Sequence, residues 1–456
     1  MSLAKAHPPL FVLRGHNSAV MTCALDPAGL FPHFLLSGDV DGVVRLWDLE
    51  LRTALLAFAP APAAEEKRRD ARGEEERPPF PGVGQQGILK VGFLTLNGVS
   101  RAVKKEEEGV TVCFYTQGRN KKLYIWRVTL NEDEDENESD REEGDLNTPG
   151  ASLDLLHVID VPQHGFCTVP SVSISPSEMM LAVPHDNGGI ISLWNVGVIG
   201  NEEESLGRLK VVCSRTFPAA GSETKCGIIM CTSFRDSNHL VVAFESGHVA
   251  LNNTDGERLA ILRAFSETAL ACVWSENTVL VSSAEGQLHC YTAVGHIRKD
   301  EEVTNTESNN NISLVVQWEA SLRKGLGSMS LQRHLAIIGS WDHTLRLYDE
   351  ESGSVISILT FHTGTVNEIT IAPLRPLSSV TAMRCTLFGY DVRNPRWCNT
   401  STSVNSSNKN NSNNISSSSI HEDESVYLFA SASGDFTIAV WRVDFKMLRP
   451  VTITAT

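Results

Sequence analysis

The sequence predicts an all-β fold, a seven-bladed β-propeller, on three observations. One pattern stands at both ends of the 456-residue chain: Gly15-His16 followed by Ser37, Asp41, Gly42 and Trp47-Asp48, and Phe361-His362 followed by Ser431, Asp435 and Trp441. Weaker copies of the same strand-turn-strand frame fill the interval between them. The stretch Pro9 to Arg14 (PLFVLR) supplies a strand that the last copy otherwise lacks.

In both end copies the Asp falls four residues after the Ser and six before the Trp. That spacing suits a strand, a tight turn and a second strand whose closing aromatic is buried, the signature of a WD-type blade. The second copy is VTVCFYTQGRNKKLYIW, with Thr116, Asn120 and Trp126 in the Ser, Asp and Trp places. The third, MLAVPHDNGGIISLWNV, lengthens the turn around Asp186 and ends at Trp194. The fourth, LVVAFESGHVALNN, has Ser246 for Asp and Asn252 for Trp, and the fifth, VLVSSAEGQLHCY, has Glu285 and Tyr291. The sixth, HLAIIGSWDHTLRLYD, restores Asp342 and closes with Tyr348-Asp349. The last blade has room for three strands, around Thr365 to Ala372, Val426 to Ser431 and Thr437 to Val443. Pairing Pro9 to Arg14 with them closes the ring and removes an open strand edge.

A His, a Ser or Thr, an Asp and a Trp in these places form a chain of side-chain hydrogen bonds, which contributes only when every member is satisfied. The sequence predicts complete tetrads in the first blade (His16, Ser37, Asp41, Trp47) and the last (His362, Ser431, Asp435, Trp441), and in no other. Their role is fold-stabilising rather than catalytic.

Radial repetition lets one all-β domain reach this length, so residues 9–445 are read as a single propeller. Insertions interrupt it at about 60–86, 97–109, 131–150, 299–311 and 374–424. They lack the apolar content to order themselves, which predicts disordered loops at the rims of the ring. The net charge of -16 is concentrated: Asn131 to Asp145 holds ten acidic residues and one Arg. That run suits either a histone- or basic-partner-binding role or a plain solvated spacer, and the spacer is the favoured reading. The Asn/Ser/Thr tract 399–419 offers hydroxyls without singling one out. The segment Lys446 to Thr456 is expected on the surface.

The remaining charge is mild and no basic face emerges, which argues against direct nucleic-acid partners. The ten cysteines include no CxxC pair, and most lie in apolar runs, as buried thiols do. Met1 to Pro9 lacks an apolar signal core and no stretch nears a membrane span of roughly 18 residues. The expectation is a soluble intracellular chain with reduced cysteines and no membrane partner.

Catalytic constellations are absent from the pattern. Gly325-Leu326-Gly327 lacks the third glycine of a phosphate loop and reads as a strand bend. His185-Asp186 and Asp342-His343 pair a base with an acid but sit in tight turns without a nucleophile. No cofactor or metal is expected. Trp341, at a turn, either anchors a partner or packs on a neighbouring blade; packing is the favoured reading.

The elements PLFVLRGH, LLSGDVDGVVRLWDL, GFCTVP with LAVP, GSWDHTLRLYD and FHTGTV resemble the ASTRA-associated protein 1 family, WD-repeat proteins related to the G-protein β-subunit-like protein 1 of animals. The resemblance runs from Pro9 to Val443 outside the insertions. It implies a non-enzymatic scaffold, monomeric within a hetero-complex, nuclear with room for a cytoplasmic pool. Its implied partners are the ASTRA subunits and the co-chaperones that mature phosphatidylinositol-3-kinase-related kinases, with a link to chromatin remodelling. A G-protein β-like signalling adaptor is the alternative, and the absence of a long helix before Pro9 speaks against it. An enzyme with a site in the central channel is a second one, opposed by inner strands that read as small and apolar.

Overall fold

The computed structural model describes residues 8–26, 31–59, 87–96, 110–130, 151–162, 165–185, 189–199, 208–221, 224–295, 312–372 and 426–444. All five expected insertions, the acidic run 131–145, the tract 399–419, Asp186 and the segment 446–456 lie outside the described residues.

The described strands form seven four-stranded antiparallel sheets. Blade one holds β2 (Val20–Leu25), β3 (Phe34–Asp39), β4 (Val44–Asp48) and β5 (Thr53–Phe58). Blade two holds β6 (Ile88–Phe93), β7 (Val110–Gly118), β8 (Lys122–Leu130) and β9 (Ala151–Asp160). Blade three is β10 (Ser171–Ser175), β11 (Glu178–Pro184), β12 (Ile190–Ile199) and β13 (Arg208–Pro218). Blade four is β14 (Ile229–Asp236), β15 (His239–Phe244), β16 (His248–Asn253) and β17 (Arg258–Arg263). Blade five contains β18 (Ala269–Ser275), β19 (Thr278–Ser283), β20 (Gln287–Val294) and β21 (Ser313–Ser321), and blade six β22 (Leu326–Gln332), β23 (Leu335–Ser340), β24 (Leu345–Asp349) and β25 (Val355–Leu359). Blade seven is completed from both ends of the chain, by β26 (Val366–Ala372), β27 (Val426–Ser433), β28 (Thr437–Asp444) and β1 (Phe11–Arg14).

The closing pair runs in register from Phe11 opposite Val440 to Arg14 opposite Thr437, and the Leu10 N–H extends it to the Val440 carbonyl at 2.7 Å. The outer strand expected from PLFVLR is therefore present. Its benefit is topological: no blade is left with three strands, and β28 gains a full ladder on its outer edge.

Seven apolar clusters hold the ring, one in each seam between neighbouring blades. Blades one and two share Leu36, Leu46, Phe93, Phe114 and Trp126. Blades seven and one share Leu13, Val440, Leu35 and Trp47, so the two chain ends meet in one core. Because each sheet is covered on both faces, its middle strands are apolar without alternation, as in LLSGD or HLVVAF, where β3 is buried along its whole length. Each fully buried Leu or Phe contributes roughly 1.5–3 kcal/mol.

The first strand of each blade is innermost, β2 lying against β6 and β26, and β14 against β18. Antiparallel order then sends every second-to-third-strand turn and every blade-to-blade connection to one end of the ring, here the upper face. Among the described residues no helix is long and apolar enough to cross a membrane.

Candidate interaction surface

The upper face is built by two side-chain relays. In blade seven the Trp441 indole N–H donates to Ser431 Oγ at 2.9 Å, the Ser431 hydroxyl meets His362 Nε2 at 2.8 Å, and His362 Nδ1 lies 3.0 Å from Asp435 Oδ2. The network assigns the protons. A carboxylate only accepts, so Nδ1 carries the hydrogen and Nε2 takes the serine proton. Asp435 also receives the Thr363 and Thr437 N–H groups and the Thr437 hydroxyl. Burial alone raises this carboxyl, but the bonds from His362, Thr437 and Thr363 together outweigh it and hold Asp435 well below the usual carboxylate range.

Blade one repeats the relay with one correction. Trp47 donates to Ser37 Oγ at 2.8 Å and Ser37 meets His16 Nε2 at 2.7 Å, but the acid on His16 Nδ1 is Asp39, at 2.7 Å, and not Asp41. Asp41 sits exposed at the tip of the turn, where its N–H lies 3.4 Å from Ser18 Oγ. The cause is pleat geometry. Asp39 is the last residue of β3 and shares the face of Ser37 two positions earlier, and its other oxygen closes the turn by accepting the Val43 N–H at 2.8 Å. Blade seven has Ser433 at that place, which leaves the role to Asp435 beyond the strand end. Ser37, Asp39 and Asp41 share one parity, so alternation within SGDVDG does not separate the two acids; the end of β3 at Asp39 does.

The weaker blades keep fragments. In blade two Trp126 donates to Thr116 at 2.9 Å, while Asn120 bonds Tyr124. In blade three His185 Nε2 meets Ser192 Oγ at 2.8 Å, so this histidine braces a strand end. In blade four Asn252 is fully buried in the Trp place and its carboxamide meets no partner among the described residues. In blade five Tyr291 meets His289, and Glu285 is at the exposed turn. In blade six Asp342 accepts from Thr344 Oγ1 at 2.6 Å and from Arg346 at 3.0 Å instead of from a histidine. Burial raises the Asp342 carboxyl less than the Thr344, Arg346 and Ser340 bonds lower it, so it is held below its ordinary range. The pair Asp342 and His343 thus does not form an acid-base couple.

A further regularity of this face was not read from the sequence. Every blade has a residue at positive φ five positions before its third-strand Trp, Tyr or Asn: Gly42, Lys121, Gly189, Gly247, Gly286, His343 and Phe436. The turn demands the left-handed region, which suits glycine and costs other residues about 1 kcal/mol. Blades six and seven nevertheless place aromatic rings there, His343 at 72° and Phe436 at 68°. Strained residues of this kind persist where something other than stability selects them.

Trp341 lies beside His343 in the same turn and is 42% exposed, while Phe436 is 47% exposed. The Trp341 ring covers β22 of its own blade and the residue before it. A Cβ on Gly325 would come within 2.6 Å of Trp341 Cε3, and one on Gly327 within 2.8 Å of its Nε1. Gly325-Leu326-Gly327 is therefore the bed of a tryptophan: one face of the Trp341 ring packs on bare backbone of its own blade rather than on a neighbouring one, and the other meets solvent. Phe166, in the connection from blade two to blade three, is 65% exposed on this face, with the Arg119 guanidinium 5.4 Å from its ring centre.

An ion pair joins two of the innermost strands. Lys90 Nζ on β6 reaches Glu368 Oε2 on β26 at 3.1 Å, spanning β2. Burial opposes the Lys90 ammonium, yet Glu368 overcomes it and raises the amine. The pair ties first strands together. No group of three or more His, Cys, Asp or Glu placed to hold a metal occurs among the described residues.

The WD domain, G-beta repeat family matches residues 7–48, which contain the first tetrad. ASTRA-associated protein 1 of Aspergillus niger is 24% identical over 403 residues, 78% of this chain and 78% of that protein, and its Penicillium rubens counterpart is 22% identical over 82% of each. The chain is a WD-repeat propeller distantly homologous to ASTRA-associated protein 1. Ribosome biogenesis protein YTM1 of Chaetomium thermophilum is 23% identical over 62% of the chain and 59% of its own length. Among solved structures, Chaetomium thermophilum Raptor superposes with a TM-score of 0.52 at 10% identity, covering 96% of this chain and 29% of that one, a likeness of fold alone. In this WD-repeat propeller the two tetrads are buried scaffold, while Trp341, His343 and Phe436 stand exposed in the turns of blades six and seven.

Proposed function

We propose that the chain is a non-catalytic scaffold subunit of an ASTRA-type nuclear assembly, acting with the co-chaperone machinery that matures phosphatidylinositol-3-kinase-related kinases and in chromatin remodelling. The observation that carries this reading is the relationship to ASTRA-associated protein 1 over most of the chain. The upper face supports it. Trp341, His343 and Phe436 crowd the turns of blades six and seven, and two of them hold strained backbone. Aromatic anchors on a rigid ring lose little entropy on binding, which suits a platform with one protomer in a hetero-complex.

Affinity purification of the tagged protein from nuclear extract, followed by mass spectrometry, tests the reading. Recovery of ASTRA and kinase-maturation subunits by the wild type, and their reduction by Trp341→Ala with Phe436→Gly, is the expected result. Recovery of none, or only of a small γ-like subunit, overturns it.

A further inference from the structure

Cys231 on β14 and Cys272 on β18 belong to the innermost strands of blades four and five, which pack side by side without sharing a ladder. Their side chains cross the seam in opposite directions. Cys231 Sγ lies 3.8 Å from the Cys272 carbonyl oxygen, and Cys272 Sγ lies 3.7 Å from the Cys231 carbonyl oxygen. This reciprocal arrangement brings the two sulfurs between the same two backbones.

The two are unequal. Cys272 is 3% exposed, with its thiol also near the Val241 carbonyl at 3.9 Å, whereas Cys231 is partly exposed on the innermost strand. Burial holds the Cys272 thiol well above its ordinary value. A thiol with a partly exposed edge beside a sheltered one is the arrangement of an attacking and a resolving cysteine. Cys167 is the neighbouring rival, but its sulfur turns to the Thr168 carbonyl at 3.7 Å.

We propose that Cys231 and Cys272 are a redox modification site, joined by a hydroperoxide into a disulfide that staples blade four to blade five. The Cys231 thiolate attacks one peroxide oxygen, the O–O bond breaks, and the leaving hydroxide takes up a proton as water. Cys231 is then a sulfenic acid. Cys272 loses its proton and attacks Cys231 Sγ, the S–O bond breaks, and a second water departs. Two thiols have lost two hydrogens and hydrogen peroxide has been reduced to two waters. The bond links residues 41 apart in sequence, so it constrains the unfolded chain and resists separation of the blades.

The test is hydrogen peroxide treatment of the folded full-length protein, alkylation of remaining thiols, and peptide mapping without reduction. The expected product is a cross-link between the Cys231 and Cys272 peptides, with a higher melting temperature than the reduced protein. The cross-link is absent when the chain is unfolded in urea before oxidation. In Cys272→Ala a sulfenic acid trapped by dimedone accumulates at Cys231, and in Cys231→Ser Cys272 stays reduced. Full alkylation of both thiols after peroxide, a Cys231 link to Cys167 instead, or equal pairing in the unfolded chain overturns the proposal. The wild-type map alone decides it should either variant fold poorly.

Discussion

His16 Nδ1 and Asp39 Oδ2 lie 2.7 Å apart with both side chains almost wholly excluded from solvent. Removing the acid strands a buried histidine proton and frees the Val43 N–H as well. Asp39→Ala is therefore expected to cost about 3 kcal/mol, and Asp41→Ala at the turn tip about 0.5 kcal/mol or less. Urea unfolding midpoints of the two variants measure this. Equal losses, or a larger one at Asp41, would return the tetrad acid to the turn.

Asp435 sets an acid limit on stability. Its carboxyl is depressed in the folded state, so its contribution is complete above the ordinary aspartate pKa of about 4 and is lost as the pH falls below it. Melting temperatures between pH 6 and pH 3, both roughly bracketing that value, should fall less steeply for Asp435→Asn than for the wild type. Parallel curves would show that His362 and Thr437 do not hold the charged form.

Phe436 and His343 trade stability for an exposed ring. Phe436→Gly and His343→Gly are each expected to raise stability by about 1 kcal/mol by relieving the left-handed backbone. Partner recovery should drop at the same time. A variant that is less stable than the wild type would mean that the rings pack usefully against their own face.

Trp341 depends on its glycine bed. Gly327→Ala places a methyl 2.8 Å from the indole Nε1 and forces the ring to move. Its fluorescence should shift and partner recovery fall, with a stability change of about 1 kcal/mol or less. Unchanged partner recovery in both Gly327→Ala and Trp341→Ala would remove Trp341 from the interface.

Asn252 keeps a buried carboxamide without a partner among the described residues, in the place where other blades have Trp or Tyr. Asn252→Leu is expected to stabilise by about 1 kcal/mol, since an apolar group of similar size loses no hydrogen bond there. A destabilised variant in chemical denaturation would show that the amide is satisfied in solution, by water.

The sequence by itself determined the ring, because strand, turn and strand recur at a spacing that local chemistry enforces: Ser37 with Trp47 and Ser431 with Trp441 pair across one hairpin. It determined the closure too, since PLFVLR before the first repeat had only the incomplete last blade to join. Only the tertiary structure decided which acid meets His16, because Asp39 and Asp41 differ by which side of a twisted strand end they leave. The same holds for Trp341 on Gly325 and Gly327, for the left-handed position shared by Gly42, His343 and Phe436, and for Cys231 facing Cys272. Each of these depends on a backbone angle or on the approach of separate strands, and neither is written in the spacing of residues along one strand.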